Sequence, residues 1–364
     1  MLNRAAATAL SFLSATILFA QTPTPSSAQK SPTPSSSPSA TPGPEQIINS
    51  LGEADLQAAI SLLKSNFTSP EAMTDVELNR ATLTGLLVRM PGGLLLVAGH
   101  ESAPAESTAP FYSEIFENHI GYLRFGPLNN ANLKELDKNL QDLTEKKVDA
   151  LVVDLRASSA GDFATAAEFA KRFCPKGKAL FTVRKPAVRQ DRVFNSDRDP
   201  AFQGLMVVLT DGDTTGGAEA LAAVLRLYDK ALIIGQPSAG RAVEYSDLPL
   251  PSGKVLRIAS AEAVLPDGQP LFPGGIKPDL PVEMPVADKR QIFRLSGEKG
   301  MSPFVYETER PHLNEAALLA GINPELDIPD AQRRNRGREK QPARDSVVQR
   351  ALDVVTSLEI YQKR

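Results

Sequence analysis

The sequence has only one cysteine, only three histidines and no large excess of charge of either sign, and each of these features argues against one kind of protein or site. A single thiol, Cys174, forms no disulfide within the chain, and we interpret it as a small buried apolar side chain. The net charge of -3 offers no basic surface, so no nucleic-acid partner is expected. No histidine stands beside a cysteine, another histidine or an acid at metal-ligand spacing, so neither a metal site nor a cofactor is predicted.

The N-terminal part lacks both a long apolar run and a packable composition. Residues 1–20 begin with one positive charge and continue with uncharged apolar residues. That apolar run is shorter than the usual membrane span of about 20 residues, and the pattern predicts a signal peptide. Residues 21–44 are rich in Pro, Ser and Thr, which predicts a disordered linker. We therefore expect export to the periplasm or cell surface, with membrane contact only through an uncleaved signal segment.

The middle of the chain alternates between two patterns. Three short runs, 150–155, 205–209 and 231–234, are almost continuously apolar, as expected for strands buried on both faces. Helix-like segments lie at 133–143, 162–173 and 218–227, with apolar residues at helical spacing. This alternation predicts repeated βαβ units and an α/β fold.

Both flanks of this core are helical by pattern. We divide the chain into a helical N-terminal region at 45–105, a core at 106–285 and a helical C-terminal tail at 286–364. The tail is predicted either to pack on the core or to pair with another copy in a homo-oligomer. Its amphipathic face consists of Val347, Val348, Ala351, Leu352, Val355 and Leu358.

The segment Leu205–Arg241 carries the strongest signal. After the strand it reads Asp213-Thr214-Thr215-Gly216-Gly217-Ala218-Glu219, and after the next strand Gly235-Gln236-Pro237-Ser238-Ala239-Gly240-Arg241. It resembles the nucleophile segment of the C-terminal processing (tail-specific) serine peptidases. In that family the helix opens Ser-Ala-Ser-Glu with the first Ser as nucleophile, and a Lys after a later glycine turn is the base. The resemblance places Gly216 at the nucleophile position and Arg241 at the base position.

Further landmarks extend the resemblance over residues 119–282. The run Asp154-Leu155-Arg156 matches a strand end of the family, although the Asn-Pro-Gly-Gly that follows there is reduced here to one glycine, Gly161. The run from Gly275 to Asp279 matches a closing turn. The resemblance implies a crotonase-like ββα spiral. The segment 99–118 is too short for the PDZ domain that the family usually carries next.

The two replacements remove the chemistry of the family. Glycine has no side chain to attack a carbonyl, and arginine stays charged at every accessible pH, so it cannot accept a proton. We therefore predict a pseudopeptidase whose former cleft binds an extended peptide or a partner protein. Glu219 is interpreted as a structural acid near the positive end of a helix. The residues predicted to line the cleft are Gly161, Thr214, Thr215, Gly217, Ser238 and Arg241.

Other interpretations stay open. An active peptidase would need another nucleophile, for which the candidates are Thr214, Thr215, Ser158, Ser159 and Ser238. A tricorn-like branch of the family uses a histidine from the N-terminal part as base, which here would be His100. The residues before Gly216 also suit an ordinary loop with a helix cap at 213–215. A structural envelope protein that assembles through its terminal helices is a third class.

Overall fold

The structure is a computed structural model, and it describes residues 44–69, 73–98, 109–158, 162–305 and 343–362. The predicted signal peptide and nearly all of the predicted linker lie outside these ranges. Two compact units meet in sequence at Asp75 and Val76. No helix in the described ranges combines the length and apolar character needed to cross a membrane.

The three strands and three helices predicted in the middle of the chain form, and their bounds agree to within a few residues. The helices are α1 (Pro44–Ser50), α2 (Glu53–Asn66), α3 (Asp75–Arg89), α4 (Asn130–Glu145), α5 (Phe163–Ala170), α6 (Gly217–Leu227), α7 (Val286–Lys299), α8 (Ser302–Val305) and α9 (Ser346–Gln362). The strands are β1 (Leu94–Val97), β2 (Tyr112–Phe116), β3 (Ile120–Arg124), β4 (Ala150–Asp154), β5 (Ala179–Lys185), β6 (Gln190–Asn195), β7 (Leu205–Thr210), β8 (Leu232–Gly235), β9 (Val243–Pro249), β10 (Val255–Val264) and β11 (Leu280–Pro281).

A six-stranded sheet in the order β11-β8-β7-β4-β3-β2 forms the centre of the larger unit. Its strands pair in parallel except for the antiparallel β2–β3 pair. Helices α4 and α6 each connect neighbouring parallel strands, as in βαβ units. The mixed α/β fold predicted from the alternation is confirmed.

Both faces of this sheet are covered, which explains the continuous apolar runs. In β4, Leu151 and Val153 pack among α4, α5 and α6, whereas Ala150 and Val152 face a second cluster built with α7, α8 and α9. Successive side chains of a strand point to opposite faces, so a strand buried on both sides must be apolar throughout.

The C-terminal tail supplies the second face. In α9 the five residues Val347, Val348, Ala351, Leu352 and Val355 are buried against the sheet, as one of the two predicted arrangements requires. Leu358, the last residue of the predicted face, is half-buried. The protein's own core thus covers most of the apolar face of α9.

A second, antiparallel sheet has the order β1-β10-β5-β6, with β9 paired to β10. Strand β1 lies within the region 45–105, which the sequence suggests is helical, yet it pairs with β10 in the register Leu94↔Ile258. The helices α1, α2 and α3 form as predicted, although α2 and α3 contain no buried residue.

Candidate functional site

The loop between β7 and α6 presents Gly216 in a backbone conformation that other residues avoid. Its φ is 60° and its ψ is -123°, and it caps the N-terminus of α6 in place of the residues 213–215 suggested by the sequence. Glycine adopts positive φ without a steric penalty because it has no Cβ. The residue at the predicted nucleophile position therefore allows the turn between β7 and α6 to form without steric strain, and it supplies no reactive group.

Glu219 joins the two loops that carry the family resemblance. Its Oε2 accepts hydrogen bonds from the backbone N–H of Gly216 (3.0 Å) and of Arg241 (2.8 Å). Its Oε1 accepts from the backbone N–H of Gly240 (2.7 Å) and from the Ser238 hydroxyl (2.6 Å). The backbones of the predicted nucleophile and base positions thus donate to one oxygen atom of a fully buried side chain.

The environment of Glu219 pulls its pKa in two directions. Burial raises the pKa above the ordinary value, while the hydrogen bonds from Ser238 and from the three backbone amides lower it without cancelling the effect of burial. All four donors point at the carboxylate, which can accept about four hydrogen bonds. Its predicted role as a structural acid at the helix start agrees with this geometry, but the link to residues 238–241 is not visible in the sequence.

Ser238 is engaged on both sides. Its hydroxyl donates to Glu219 and accepts from the backbone N–H of Ile276 at 2.8 Å, while its own N–H donates to the Ile276 carbonyl at 3.0 Å. The neighbouring Gly240 has a φ of 65°, and a Cβ there would lie 2.1 Å from the Pro273 carbonyl oxygen. Close packing against the segment 273–276 therefore requires this glycine.

The two threonines before Gly216 differ in position. Thr214 is fully buried, and its hydroxyl donates to the Leu155 carbonyl (2.9 Å) and accepts from the Asp211 N–H (3.1 Å). The backbone N–H of Thr215 donates to the Ser158 carbonyl at 3.1 Å. Thr214 thus fixes the loop to the end of β4, and its hydroxyl lies in the interior rather than on an open cleft. Gly217, the first residue of α6, is buried as well.

Arg241 reaches the surface. Its side chain is exposed, and among the described residues no carboxylate lies within ion-pair distance of it. It lies along Gly92, where an added Cβ would stand 3.5 Å from Arg241 Cγ, and the Tyr245 hydroxyl donates to the Gly92 carbonyl at 2.7 Å. The predicted base position therefore carries an accessible guanidinium beside the turn that precedes β1.

The other predicted candidates lie at the end of β4 or beyond the described ranges. Ser158 is fully buried, and its hydroxyl has no hydrogen-bond partner among the described residues. Ser159 and Gly161, which follow the Asp-Leu-Arg run, lie outside the described residues, as does His100.

Comparison with known proteins places these loops in a family. Residues 119–282 match the model of peptidase family S41. The chain contains an S41 peptidase domain. Its relatives include the carboxy-terminal processing protease CtpA of Bacillus subtilis, 24% identical over 245 residues that cover 66% of this chain and 49% of the relative. A carboxy-terminal-processing protease of Bartonella bacilliformis is 28% identical over 180 residues, with 48% and 41% covered.

The S41 domain also resembles solved structures. The photosystem II D1 C-terminal processing protease aligns with a TM-score of 0.41 at 20% identity, covering 57% of this chain and 52% of that protein. Mature CPAF complexed with lactacystin aligns with a TM-score of 0.42 at 14% identity, covering 53% and 52%. The chain spans about half the length of the curated relatives it matches.

A buried lysine supports the loop of the S41 domain that leads to Gly216. Lys289, from α7, is 3% exposed and forms ion pairs with Asp211 and with Asp213, the latter at 2.8 Å. A buried ammonium is stable only where carboxylates or other acceptors compensate for lost hydration. Nothing near Lys289 in the sequence indicates this contact, because its partners lie more than seventy residues earlier.

The Asp-Leu-Arg landmark of the S41 domain anchors the C-terminal helix. The Arg156 guanidinium donates to both oxygens of Asp154 (3.0 and 2.7 Å) and of Asp345 (2.9 and 2.8 Å), and all three side chains are almost fully buried. Asp345 also accepts from the backbone N–H groups of Val347 and Val348, which begin α9. The strand end that marks the family in sequence thus holds the tail in place.

Proposed function

We propose that this protein is a pseudopeptidase that binds an extended peptide, or an extended segment of a partner protein, in the former S41 cleft. The main support is that Glu219 links the predicted nucleophile and base positions, which are occupied by Gly216 and Arg241. A serine peptidase needs a hydroxyl and a proton acceptor at that place, and neither residue supplies one. The scaffold of the site is retained while its reactive pair is replaced.

The guanidinium of Arg241 supports recognition of a peptide C-terminus. It is exposed and has no acidic partner among the described side chains, so it is available for a carboxylate ligand. Arginine binds carboxylates through two parallel hydrogen bonds, which lysine does not do. We therefore assign the ligand's terminal carboxylate to Arg241.

An open strand edge supports the extended conformation of the ligand. Strand β9 begins two residues after Arg241, and in the described part of the chain it pairs only with β10. Its outer edge offers backbone groups to an added strand. A peptide that pairs antiparallel to β9 has its C-terminus beside the beginning of β9, which is where Arg241 lies.

The binding proposal is tested by retention of peptides. A random octapeptide library with free C-termini and its C-amidated twin are passed over the immobilised protein, and retained peptides are counted by mass spectrometry. We expect preference for the free acids, lost about tenfold in Arg241→Ala and partly kept in Arg241→Lys. Arg257→Ala is the matched control, since this guanidinium on the same sheet is already paired with Asp247. Equal retention by the wild type and Arg241→Ala would refute the assignment.

The alternative is an active serine-type peptidase with a non-standard nucleophile. One contact favours it: the Ser238 hydroxyl lies 2.6 Å from a buried carboxylate whose pKa is raised. A fluorophosphonate probe separates the two functions. We expect no labelling of the wild type and labelling of the Gly216→Ser/Arg241→Lys double variant. Labelling of the wild type at Ser238, mapped by mass spectrometry and lost in Ser238→Ala, would replace the pseudopeptidase proposal.

The proposal also includes a location and a finer fold. We propose that the protein is exported, in line with the signal-like pattern of residues 1–20 and with its bacterial carboxy-terminal processing relatives. We further propose that its core is a crotonase-like spiral of ββα units. Fractionation of cells that express the tagged full chain tests export, and recovery of the unprocessed protein in the cytoplasm alone would contradict it.

A further inference from the structure

Three side chains from distant parts of the sequence meet on the side of the sheet covered by α9. His119 precedes β3, Asp149 precedes β4, and Glu359 lies in the last turns of α9. One nitrogen or oxygen atom from each lies within 4.8 Å of the others, and His119 Nε2 is 3.1 Å from Glu359 Oε2. The sequence alone does not indicate this cluster, because Asp149 and Glu359 lie 30 and 240 residues after His119.

A hydrogen bond at Nδ1 fixes the orientation of the His119 ring. Its Nδ1 lies 2.7 Å from the Glu117 carbonyl oxygen. A carbonyl only accepts hydrogen bonds, so Nδ1 carries the proton, and Nε2 is the atom that faces Glu359. Histidines that bind metals usually donate their other ring N–H to a carbonyl or carboxylate in this way, which sets the tautomer.

Glu359 provides an independent sign of a missing partner. Its side chain is 12% exposed, and its Oε1 is buried without a hydrogen-bond partner among the described residues. A buried carboxylate oxygen with no donor is costly, and a bound cation removes that cost. The ion pair with His119 uses only the other oxygen, Oε2.

The backbone holds two of the three groups rigidly. The Asp149 N–H donates to the His119 carbonyl at 3.2 Å, and the Leu205 N–H donates to the Asp149 carbonyl at 3.1 Å. Both residues therefore lie at the ends of paired strands of the central sheet, and the Asp149 side chain is exposed to solvent. Glu359 is the ligand brought by the tail.

We propose that His119, Asp149 and Glu359 bind one divalent transition-metal ion of the zinc class. One imidazole and two carboxylates form a donor set that suits Zn²⁺, with water completing the tetrahedron. The ion joins the end of α9 to the starts of β3 and β4, and thereby stabilises the docking of the tail. It lies on different elements from Gly216 and Arg241, so the proposal does not depend on the function proposed for the cleft.

The test uses the purified, tag-free full chain and two metals. Co²⁺ is titrated while visible absorption is recorded, and Zn²⁺ binding is measured by calorimetry and by the thermal unfolding midpoint. We expect one equivalent of tight binding, a cobalt spectrum of low-coordinate type and a zinc-dependent rise in the midpoint. His119→Gln and Glu359→Gln should each weaken binding by at least about tenfold, since even changes behind metal ligands cost about 10–100-fold.

The matched control is Asp353→Asn, an exposed acid on the same helix that is not part of the cluster. It should bind both metals like the wild type. Circular dichroism in the absence of metal establishes that each variant is folded. The proposal is overturned if the wild type gives neither the cobalt spectrum nor a zinc-dependent shift, or if both persist unchanged in His119→Gln.

Discussion

Replacement of Asp345 by alanine should detach the C-terminal helix from the sheet. Asp345 receives two hydrogen bonds from the buried Arg156 guanidinium, at 2.9 and 2.8 Å, and two from the backbone at the start of α9. Arg156 keeps its contacts with Asp154, so the guanidinium is not left without a counter-charge. The variant nevertheless loses a bidentate pair and a helix cap in the protein interior.

The size of the effect follows from these contacts. Because Asp154 still neutralises Arg156, the main cost comes from the buried donor atoms that lose their acceptor, about 1–3 kcal/mol. Loss of an N-terminal cap adds about 1 kcal/mol, and some water entry reduces the sum. We expect Asp345→Ala to lower the free energy of unfolding by about 2–4 kcal/mol. Asp345→Asn should cost less, because its side-chain oxygen still caps the helix.

The measurement is urea unfolding followed by circular dichroism, together with limited proteolysis near α9. Because the chain contains two compact units, the transition of the larger unit must be resolved before a free energy is assigned. Asp353→Asn, on the exposed side of the same helix, is the control and should stay within about 0.5 kcal/mol of the wild type. A loss below about 1 kcal/mol in Asp345→Ala would refute the view that this network anchors the tail.

Three further predictions concern the core and the site. Gly216→Ser should destabilise the protein by about 1–2 kcal/mol in urea unfolding, because the φ of Gly216 is 60°. Gly212→Ser, in the same loop with open space around its Cα, should be nearly neutral. Equal effects of the two substitutions would contradict the role of backbone conformation. The Arg156 charge and hydrogen bonds hold the pKa of Asp154 below its usual range despite burial. The stability that this carboxylate contributes is therefore present above about pH 4 and is lost as the pH falls through its folded-state pKa. An unfolding free energy that stays flat between pH 5 and the acid limit of folding would count against this contribution. Burial raises the pKa of Cys174 to about 12, so Ellman's reagent at neutral pH should modify this thiol only after unfolding, and rapid modification of the native protein would show that it is accessible.

Local sequence patterns predict three central strands and the helices between them, because strand and helix periods are local properties. The apolar runs at 150–155 and 205–209 predict strands buried on both faces, and the structure confirms them. The same patterns do not reveal that β1 joins an antiparallel sheet with β10, because strand pairing depends on residues about 160 positions apart.

Some features of the candidate site can likewise be predicted from the sequence, whereas others depend on the fold. The order of landmarks from His119 to Val282 identifies the family from sequence, and the comparison with S41 peptidases confirms it. That Thr214 faces the interior, that Lys289 supports the loop and that Glu219 bridges to residues 238–241 follow only from the fold.

The sequence by itself therefore predicted that Gly216 and Arg241 occupy the nucleophile and base positions, since a motif comparison needs only residue identity. It also determined the alternation of strands and helices in the middle of the chain, because hydrophobic periodicity depends only on residues close together in sequence. Only the tertiary structure decided what those residues contact. Burial, ion pairing and the meeting of His119 with Glu359 arise when segments hundreds of positions apart are brought within a few ångströms of each other.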